Sequence, residues 1–565
     1  MNKFIVINYS STAQRDILIE RINKYADAEI PFHIGRRFLR DYPDSKTLLY
    51  SAEARISAFN RQEQVFVAKD KFLVFDGTPV FEGQNTKTHW AERLFRHFRS
   101  RSVGQFFTST FGDYGMVVLR DGVVTAVGDF SGNNPLFHYS MDGVHAISNR
   151  QRLLHKILND DGKVDLDPVA LSWLIDQGNV FGTDSPFRGV KLILPSRYAV
   201  MTENGITIGG FKRFFVHEKR SDDLSREEVD SAVNSIFKQS ELISELPFDD
   251  LQMDLTGGMD SRASLAIAIG SGLSKKVTAV KTMGPPGAPD IQVAEALAKE
   301  MSLPFEAVLH LPDPNKAVNI DMLWNRLQLN VAITDGTIMA GDGAAGLGRS
   351  AKLCLTGGAG EIYRPHVKSR KKMISPDLKR ALTTYQHYHF VSDTLGILKP
   401  DVIKGHRDYF RNEVVRLADK GVPFEDMHYV FYVEGRMPWW NGYMMSNMMG
   451  RIRLNSLANY HAASVMFSTN PEQKNLDRLH FELMKAADPR LLKFPFLANS
   501  WDPKMQKYAD GHEIALTPMK TEKADTLQNR KPWLFELVEA RWDQIFDSVL
   551  DNPNSVLFDV IDRAK

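Results

Sequence analysis

A buried strand that breaks on two glycines and turns at once into a helix constrains this chain most. Leu251 to Leu255 reads as an interior strand, Thr256-Gly257-Gly258 follows, and a helix is expected from Ser261 to Ile269. The same grammar continues with a strand at Val277 to Lys281, a helix at Ile291 to Glu300, and an apolar strand from Ala351 to Leu355. That last strand runs into Thr356-Gly357-Gly358. Alternating strands and helices imply a parallel sheet with crossover helices. From about residue 400 onward the pattern is mainly helical.

The first glycine turn also carries chemistry. Two glycines let backbone N–H groups approach an anion closely. Ser261 stands at a helix start, where its hydroxyl caps the helix or touches phosphate and the helix dipole adds positive potential. Asp260 places a carboxylate beside that pocket, which suits magnesium bridging to phosphate oxygens. A strand-to-helix turn with a serine cap is the plain alternative. The full run from Leu255 to Arg262 favours a nucleotide site.

The first 210 or so residues read differently, as strands and turns with few helices. Phe4 to Ile7 is a short apolar run, and Phe72 to Phe75 ends at the turn signal Asp76-Gly77. Gly115 to Leu119 and Val123 to Val127 flank Asp121-Gly122 as a hairpin, and a second strand pair flanks Met141-Asp142-Gly143. Helices are expected at Trp90 to Ser100 and Pro168 to Gln177. This is a β-rich unit of layered sheets with helices outside.

Composition narrows the function classes. The chain has 565 residues, 70 Lys plus Arg against 69 Asp plus Glu, and a net charge of +1, which argues against a nucleic-acid coat or a polybasic membrane binder. The single cysteine, Cys354, rules out an intramolecular disulfide framework and any Cys-rich metal site. The apolar run at Phe4 to Ile7 has four residues, short of a signal peptide's roughly 7–15. No stretch approaches the roughly 20 apolar residues of a spanning helix. A cytoplasmic protein without nucleic-acid or membrane partners is expected.

Leu255 to Arg262 resembles the pyrophosphate-binding loop of the asparagine synthetase-like ATP pyrophosphatases. Thr282 to Asp290, Thr334-Asp335-Gly336, and Leu355 to Glu361 are similar to that family's next landmarks. Phe111 to Gly115, Gly128 to Phe137 and Phe187 to Ser196 resemble its N-terminal amidotransferase unit. The resemblance implies an Ntn-hydrolase-like layered domain over 1–215. A parallel-sheet PP-loop (adenine nucleotide alpha hydrolase-like) domain with extra C-terminal helices would follow over 225–565. It implies ATP bound by Leu255, Thr256, Gly257, Gly258, Asp260, Ser261, Thr356 and Gly357, with adenine near Met283. Magnesium would be held by Asp260 and Glu361.

The departures from the family are informative. Glutamine-dependent members carry a nucleophilic cysteine directly after the initiator Met, whereas this chain has Asn2, and Cys354 lies on an expected core strand. Glutaminase activity should therefore be missing, as in β-lactam synthetases and lasso-peptide macrolactam synthetases. Gly358 stands where the family has Glu or Tyr, and the family's catalytic Lys has only Lys493, out of register, or Lys504 as counterparts. Tyr363 and Arg364 are candidates to replace missing functions, Arg364 as a bidentate clamp on phosphate or carboxylate. Arg262 is expected either to touch an anion or to form a structural ion pair. Glu434 and Arg436 are expected to pair along an active-site wall.

Other signals carry less weight. Gly341 to Gly346 spells G-x-G-x-x-G but follows a helical run rather than a strand, so a dinucleotide site is not expected. Met444, Met445, Met448 and Met449 share a helix face that is either core or a peptide pocket. The basic run from Arg364 to Lys372 is either a solvated loop or a dock for an acidic peptide, a carrier-protein phosphate or an anionic sugar. The expected function is an AMP-forming, ATP- and Mg2+-using amide ligase in peptide macrolactam (lasso-type) or other specialised biosynthesis. Its substrates would bear a carboxylate and an amine, with a precursor peptide or biosynthetic protein as partner. Ammonia-dependent amidation of a small molecule or sugar acid, and a non-catalytic nucleotide-binding relative, are the alternatives.

Overall fold

The computed structural model describes residues 2–30, 34–54, 63–84, 89–159, 164–211, 213–217, 219–246, 248, 250–309, 319–337, 352–364, 396–442, 451–521, 533–547, 551–552 and 555–562. The glycine-rich stretch 341–346, the methionines at 444–449 and the basic run beyond Arg364 lie outside these residues.

Two antiparallel sheets of six strands each form the N-terminal part. The first has the order Lys191–Ile193, Leu136–Met141, Val144–Ser148, Asn2–Asn8, Thr47–Ala54, Ile34–Tyr42. The second has the order Gly205–Gly210, Arg197–Thr202, Val123–Gly128, Phe111–Arg120, Phe72–Val80, Val65–Val67. Strand alternation places the layers. Phe4 and Val6 meet Val74, Val117 and Ala126 between the sheets, while Ile5 and Ile7 face outward to a core closed by Leu18, Leu153 and Leu154. These last three belong to the helices Thr12–Arg21 and Gln151–Leu158. The result is helix, sheet, sheet, helix.

Both expected hairpins form, with Asp121-Gly122 and Asp142-Gly143 at positive φ (53°, 75°, 52° and 71°) in their turns. The strand at Phe72 does not stop at Asp76-Gly77. It runs on to Val80, pairing Asp76 with Gly115 and Gly77 with Tyr114. Gly77 stays inside the ladder at φ 90°, with Asp113 O and the Asn134 amide filling the space of a side chain.

A five-stranded, all-parallel sheet follows, in the order Phe305–Leu309, Val277–Gly284, Leu251–Asp254, Lys352–Thr356, Arg451–Asn455. The chain builds outward from Leu251–Asp254 on one side and then returns to its other side. That reversal opens a crevice at the carboxyl ends of Leu251–Asp254 and Lys352–Thr356, where ligands bind in open α/β sheets. Helix Arg226–Ile243, with Ser225 and Glu228 in a capping box, packs beside it. The edge strand Arg451–Asn455 lies inside a region read from sequence as helical. Among the described residues, no helix is long and apolar enough to cross a membrane.

Candidate functional site

The two Thr-Gly-Gly turns emerge side by side from adjacent parallel strands. Each is folded by the same contact: the threonine Oγ1 accepts the N–H two residues on, Gly258 N to Thr256 and Gly358 N to Thr356, both at 3.1 Å. Ser261 locks the first turn, its Oγ accepting Thr256 N at 3.1 Å and lying 3.0 Å from Thr256 Oγ1. Leu255 is fully buried beneath, its carbonyl accepting Thr282 Oγ1 at 2.5 Å. The second turn lies directly on the first turn of helix Met259–Gly270. A Cβ on Gly357 would stand 2.6 Å from Asp260 C and Ser261 N. Glycine is required there by backbone contact.

Asp260 is the charge at the centre. Arg364 donates from Nε to Asp260 Oδ1 at 2.5 Å and from Nη2 to Oδ2, while His480 Nε2 lies 2.9 Å from Oδ1. Burial works to raise Asp260, but the Arg364 and His480 hydrogen bonds outweigh it and hold the carboxyl well below the usual range. Glu361 moves the opposite way: burial, and then the Asp260 charge, raise it. Its Oε2 accepts Tyr432 Oη at 3.3 Å.

These residues do not fit a magnesium ion as they stand. Both oxygens of Asp260 are taken by cationic or N–H partners, Glu361 is biased toward its neutral form, and metal ligands must be deprotonated and free. Among the described residues there is no group of three or more His, Cys, Asp or Glu suited to a metal. The expectation of Mg2+ on Asp260 and Glu361 has no support in this arrangement.

Asp290 opens the neighbouring helix Pro289–Glu300, and its Oδ1 accepts Gly257 N at 2.8 Å. Met283, at the end of the adjacent strand, is 55% exposed and leaves an open apolar surface beside the crevice. Thr356 Oγ1 donates to Asn455 Oδ1 at 2.8 Å, and Asn455 N in turn donates to Asp113 Oδ2 of the N-terminal sheets at 3.1 Å. Asn455 also bears on Gly358: a Cβ there would lie 1.9 Å from Asn455 Oδ1, so a Glu or Tyr would have to displace the Asn455 amide.

Several expected site residues face elsewhere. Arg262 is fully buried and donates to Phe494 O and, at 2.8 Å, to Pro495 O, with its guanidinium 3.7 Å from the Phe496 ring centroid. It thus clamps the 494–496 segment with carbonyls and a ring, and forms no ion pair among the described residues. Tyr363 is buried, its hydroxyl donating to Leu457 O and Asn459 O at 2.8 and 3.0 Å. Lys493 is exposed, and Lys504 pairs with Glu472 at 2.5 Å on the surface. Glu434 does not pair with Arg436; it meets Arg416 at 3.2 Å, and Arg436 lies over Trp440 instead. Cys354 is buried on its strand, 3.4 Å from Asp254 Oδ1.

Sequence reading missed His480, Asn455, Tyr432 and the role of Asp290. Asp290 had a local signal, an acid following Pro289 at a helix start. His480 had none, since it reaches Asp260 across 220 residues from a helix otherwise rich in core side chains.

At the start of the chain a second polar corner is closed. Asn2 is fully buried, its N–H donating to Asp76 Oδ1 at 3.0 Å and its side-chain oxygen accepting Ser51 Oγ at 2.7 Å. Lys3 Nζ pairs with Asp76 Oδ2 at 2.8 Å, and Asn149 Nδ2 donates to the same oxygen at 3.2 Å.

No family model matches this chain, and no curated protein matches it. Among the solved structures that resemble it, two match at 10% identity. The glutamine phosphoribosylpyrophosphate amidotransferase from B. subtilis, complexed with ADP and GMP, covers 63% of this chain and 75% of its own at a TM-score of 0.25. A structure described as the allosteric regulatory enzyme of purine biosynthesis covers 66% of this chain and 77% of its own at a TM-score of 0.26.

Proposed function

We propose that the crevice between the two Thr-Gly-Gly turns holds the phosphates of ATP, and that the protein is an AMP-forming ligase that makes amide bonds. The observation that carries this reading is the pairing of the turns at adjacent parallel strand ends, with a twelve-residue helix starting between them. Backbone amides, the helix N-terminus and the Arg364 guanidinium supply positive potential there. A substrate carboxylate oxygen attacks the α-phosphorus, the bond to the β-phosphate oxygen breaks, and pyrophosphate leaves. An amine then attacks the acyl carbon, loses a proton and displaces AMP. The turns from Thr256 to Ser261 and at Thr356-Gly357 hold the departing pyrophosphate, and Arg364 opposes its developing charge.

Asn2 in place of a nucleophile supports a ligase without a glutaminase step, over a layered domain at 1–215 and a synthetase domain at 225–565. A substrate that carries its own amine suits this best, such as a precursor peptide closed to a macrolactam or another specialised metabolite. Carboxylate-dependent ATP–pyrophosphate exchange tests the reading. Exchange with one carboxylate and not with others is the expected result; ATP binding without exchange across a broad panel sinks it. That second outcome fits a non-catalytic nucleotide-binding relative, a reading favoured by one observation: Asp260 is already neutralised by Arg364.

A further inference from the structure

The two Thr-Gly-Gly turns share an internal contact but differ in what supports them from outside. In the first, Thr256 Oγ1 meets Ser261 Oγ at 3.0 Å, five residues on in the same helix entry. In the second, Thr356 Oγ1 donates to Asn455 Oδ1 at 2.8 Å, at the end of the edge strand Arg451–Asn455. That amide packs directly on the turn, since a Cβ on Gly358 would stand 1.9 Å from its oxygen. What fixes the second turn therefore depends on what fixes Asn455.

Asn455 is held from the other half of the molecule. Its N–H donates to Asp113 Oδ2 at 3.1 Å, and its Nδ2 lies 3.4 and 3.3 Å from Asp113 Oδ1 and Oδ2. Asp113 is buried on strand Phe111–Arg120, where its Oδ1 also accepts Asn133 Nδ2 at 2.7 Å. Asn133 is tied down in turn by Asp129 Oδ1, which accepts its N–H at 3.1 Å. An ionised carboxylate only accepts hydrogen bonds, so it turns the Nδ2 side of the Asn455 amide toward itself and the Oδ1 side toward Thr356. Thr356 has a single hydroxyl proton. Giving it to Asn455 leaves the lone pairs to accept Gly358 N–H.

We propose that Asp113 is a positioning residue for the second glycine turn: acting through the Asn455 amide, it sets the orientation of Thr356 and the place of the Gly357-Gly358 backbone. The N-terminal sheets thereby have a task at the crevice that needs no nucleophile. The consequence for pyrophosphate rests on the ligase reading; the fixing of the turn does not.

Hydrogen exchange of the full chain, without ligand, reads the turn itself. Asp113→Asn keeps the shape but offers one oxygen where two are used, so a donor meets a donor beside Asn455. Exchange across 356–360 should quicken about tenfold, the worth of one hydrogen bond, while 256–261, held by Ser261 and Asp290, keeps its rate. Val117→Ala, a core truncation on the same strand, should lower the Tm and leave both segments unchanged. Calorimetry with pyrophosphate reads the consequence. Asp113→Asn and Thr356→Val should each weaken binding about tenfold, and together no further than the weaker-binding single variant. Unchanged exchange at 356–360 in Asp113→Asn, equal quickening in Val117→Ala, or losses that multiply in the double variant overturns the proposal. Wild-type protein that shows the expected exchange pattern against its variants but binds no pyrophosphate supports the positioning role and ends the crevice reading. If Asp113→Asn does not fold, Asp113→Ser, with room for a water beside Asn455, takes its place in every comparison.

Discussion

Lys3 and Arg364 each hold a buried carboxylate, but the two pairs sit in very different surroundings. Lys3 and Asp76 have side chains 1% and 2% exposed, and the same carboxylate also accepts Asn2 N and Asn149 Nδ2. Arg364 and Asp260 keep 22% and 16% exposure at the edge of a glycine crevice, beside a glutamate whose proton affinity is raised. The first pair is a closed structural unit, with every charge answered inside the protein. The second keeps partial contact with solvent. In this chain the difference between a sealed pair and an open one lies in access rather than in residue type.

The sharpest way to break that contrast is to truncate the cation in each pair. Lys3→Met leaves Asp76 buried and unpaired, and should cost about 3–5 kcal/mol of stability. Arg364→Met leaves Asp260 with His480 and partial solvent, and should cost less than half as much. Guanidinium denaturation midpoints of the two variants, with their slopes compared, measure the difference. Equal losses would mean that the crevice pair is as structural as the sealed one.

A second test falls on the crevice itself. Gly357→Ala drives a methyl into the Asp260 and Ser261 backbone, displacing one turn from the other. Misplacement of about 1 Å at a positioning site costs on the order of 100-fold in rate. Carboxylate-dependent exchange should fall by about that factor, and the denaturation midpoint should fall as well, by about 1–3 kcal/mol of stability, because the methyl meets backbone. A variant with full exchange would remove the second turn from the phosphate site.

How much of this was legible in the sequence follows from range. Local signals held: the glycine turns and the hairpins at Asp121-Gly122 and Asp142-Gly143 act within a few residues, and each forms at the expected place. Asp76-Gly77 is a turn signal by residue type and points to a strand end there, whereas in the fold it pairs with a partner strand some 40 residues on. His480 against Asp260 and Asn455 against Asp113 are meetings across hundreds of positions, and no local pattern announces them. Arg262 misleads for the same reason. In that place it reads either as an anion ligand or as half of an ion pair, but its rotamer is set by Phe494, Pro495 and Phe496, which arrive from far along the chain.

Asp113 joins the two regions compared above, and its titration sharpens their coupling. Burial, and then the Asp129 charge, push it up to about 7, against roughly 3.9 in an unfolded chain. The folded state therefore binds more protons between those values. This contribution to stability is full below about pH 4, declines as pH rises toward 7, and is flat beyond. The slope is at most about 1.4 kcal/mol per pH unit. Asp113→Asn, measured by denaturation from pH 5 to 8, should flatten it. Persistence of the slope would place the titration on another group.

The smallest expected effect asks whether the open corner is set up for phosphate at all. Gly257 N–H is held by Asp290 Oδ1 at 2.8 Å, so a phosphate using that amide must displace a carboxylate of its own sign. Asp290→Asn keeps the accepting oxygen, which preserves the turn, and removes the charge. Relief of one partly solvated like-charge contact is worth on the order of 1 kcal/mol. ATP and pyrophosphate should therefore bind about fivefold tighter to the variant by calorimetry, and the gain should shrink in high salt as screening takes over. A gain that persists undiminished in high salt would trace to a change in the turn rather than to charge. Weaker binding would mean that Asp290 helps to hold the ligand and that the phosphates lie against the second turn instead. In either case the sealed corner gives a fixed reference, because neither nucleotide nor Asp290 touches the Lys3–Asp76 pair and its stability contribution should not move.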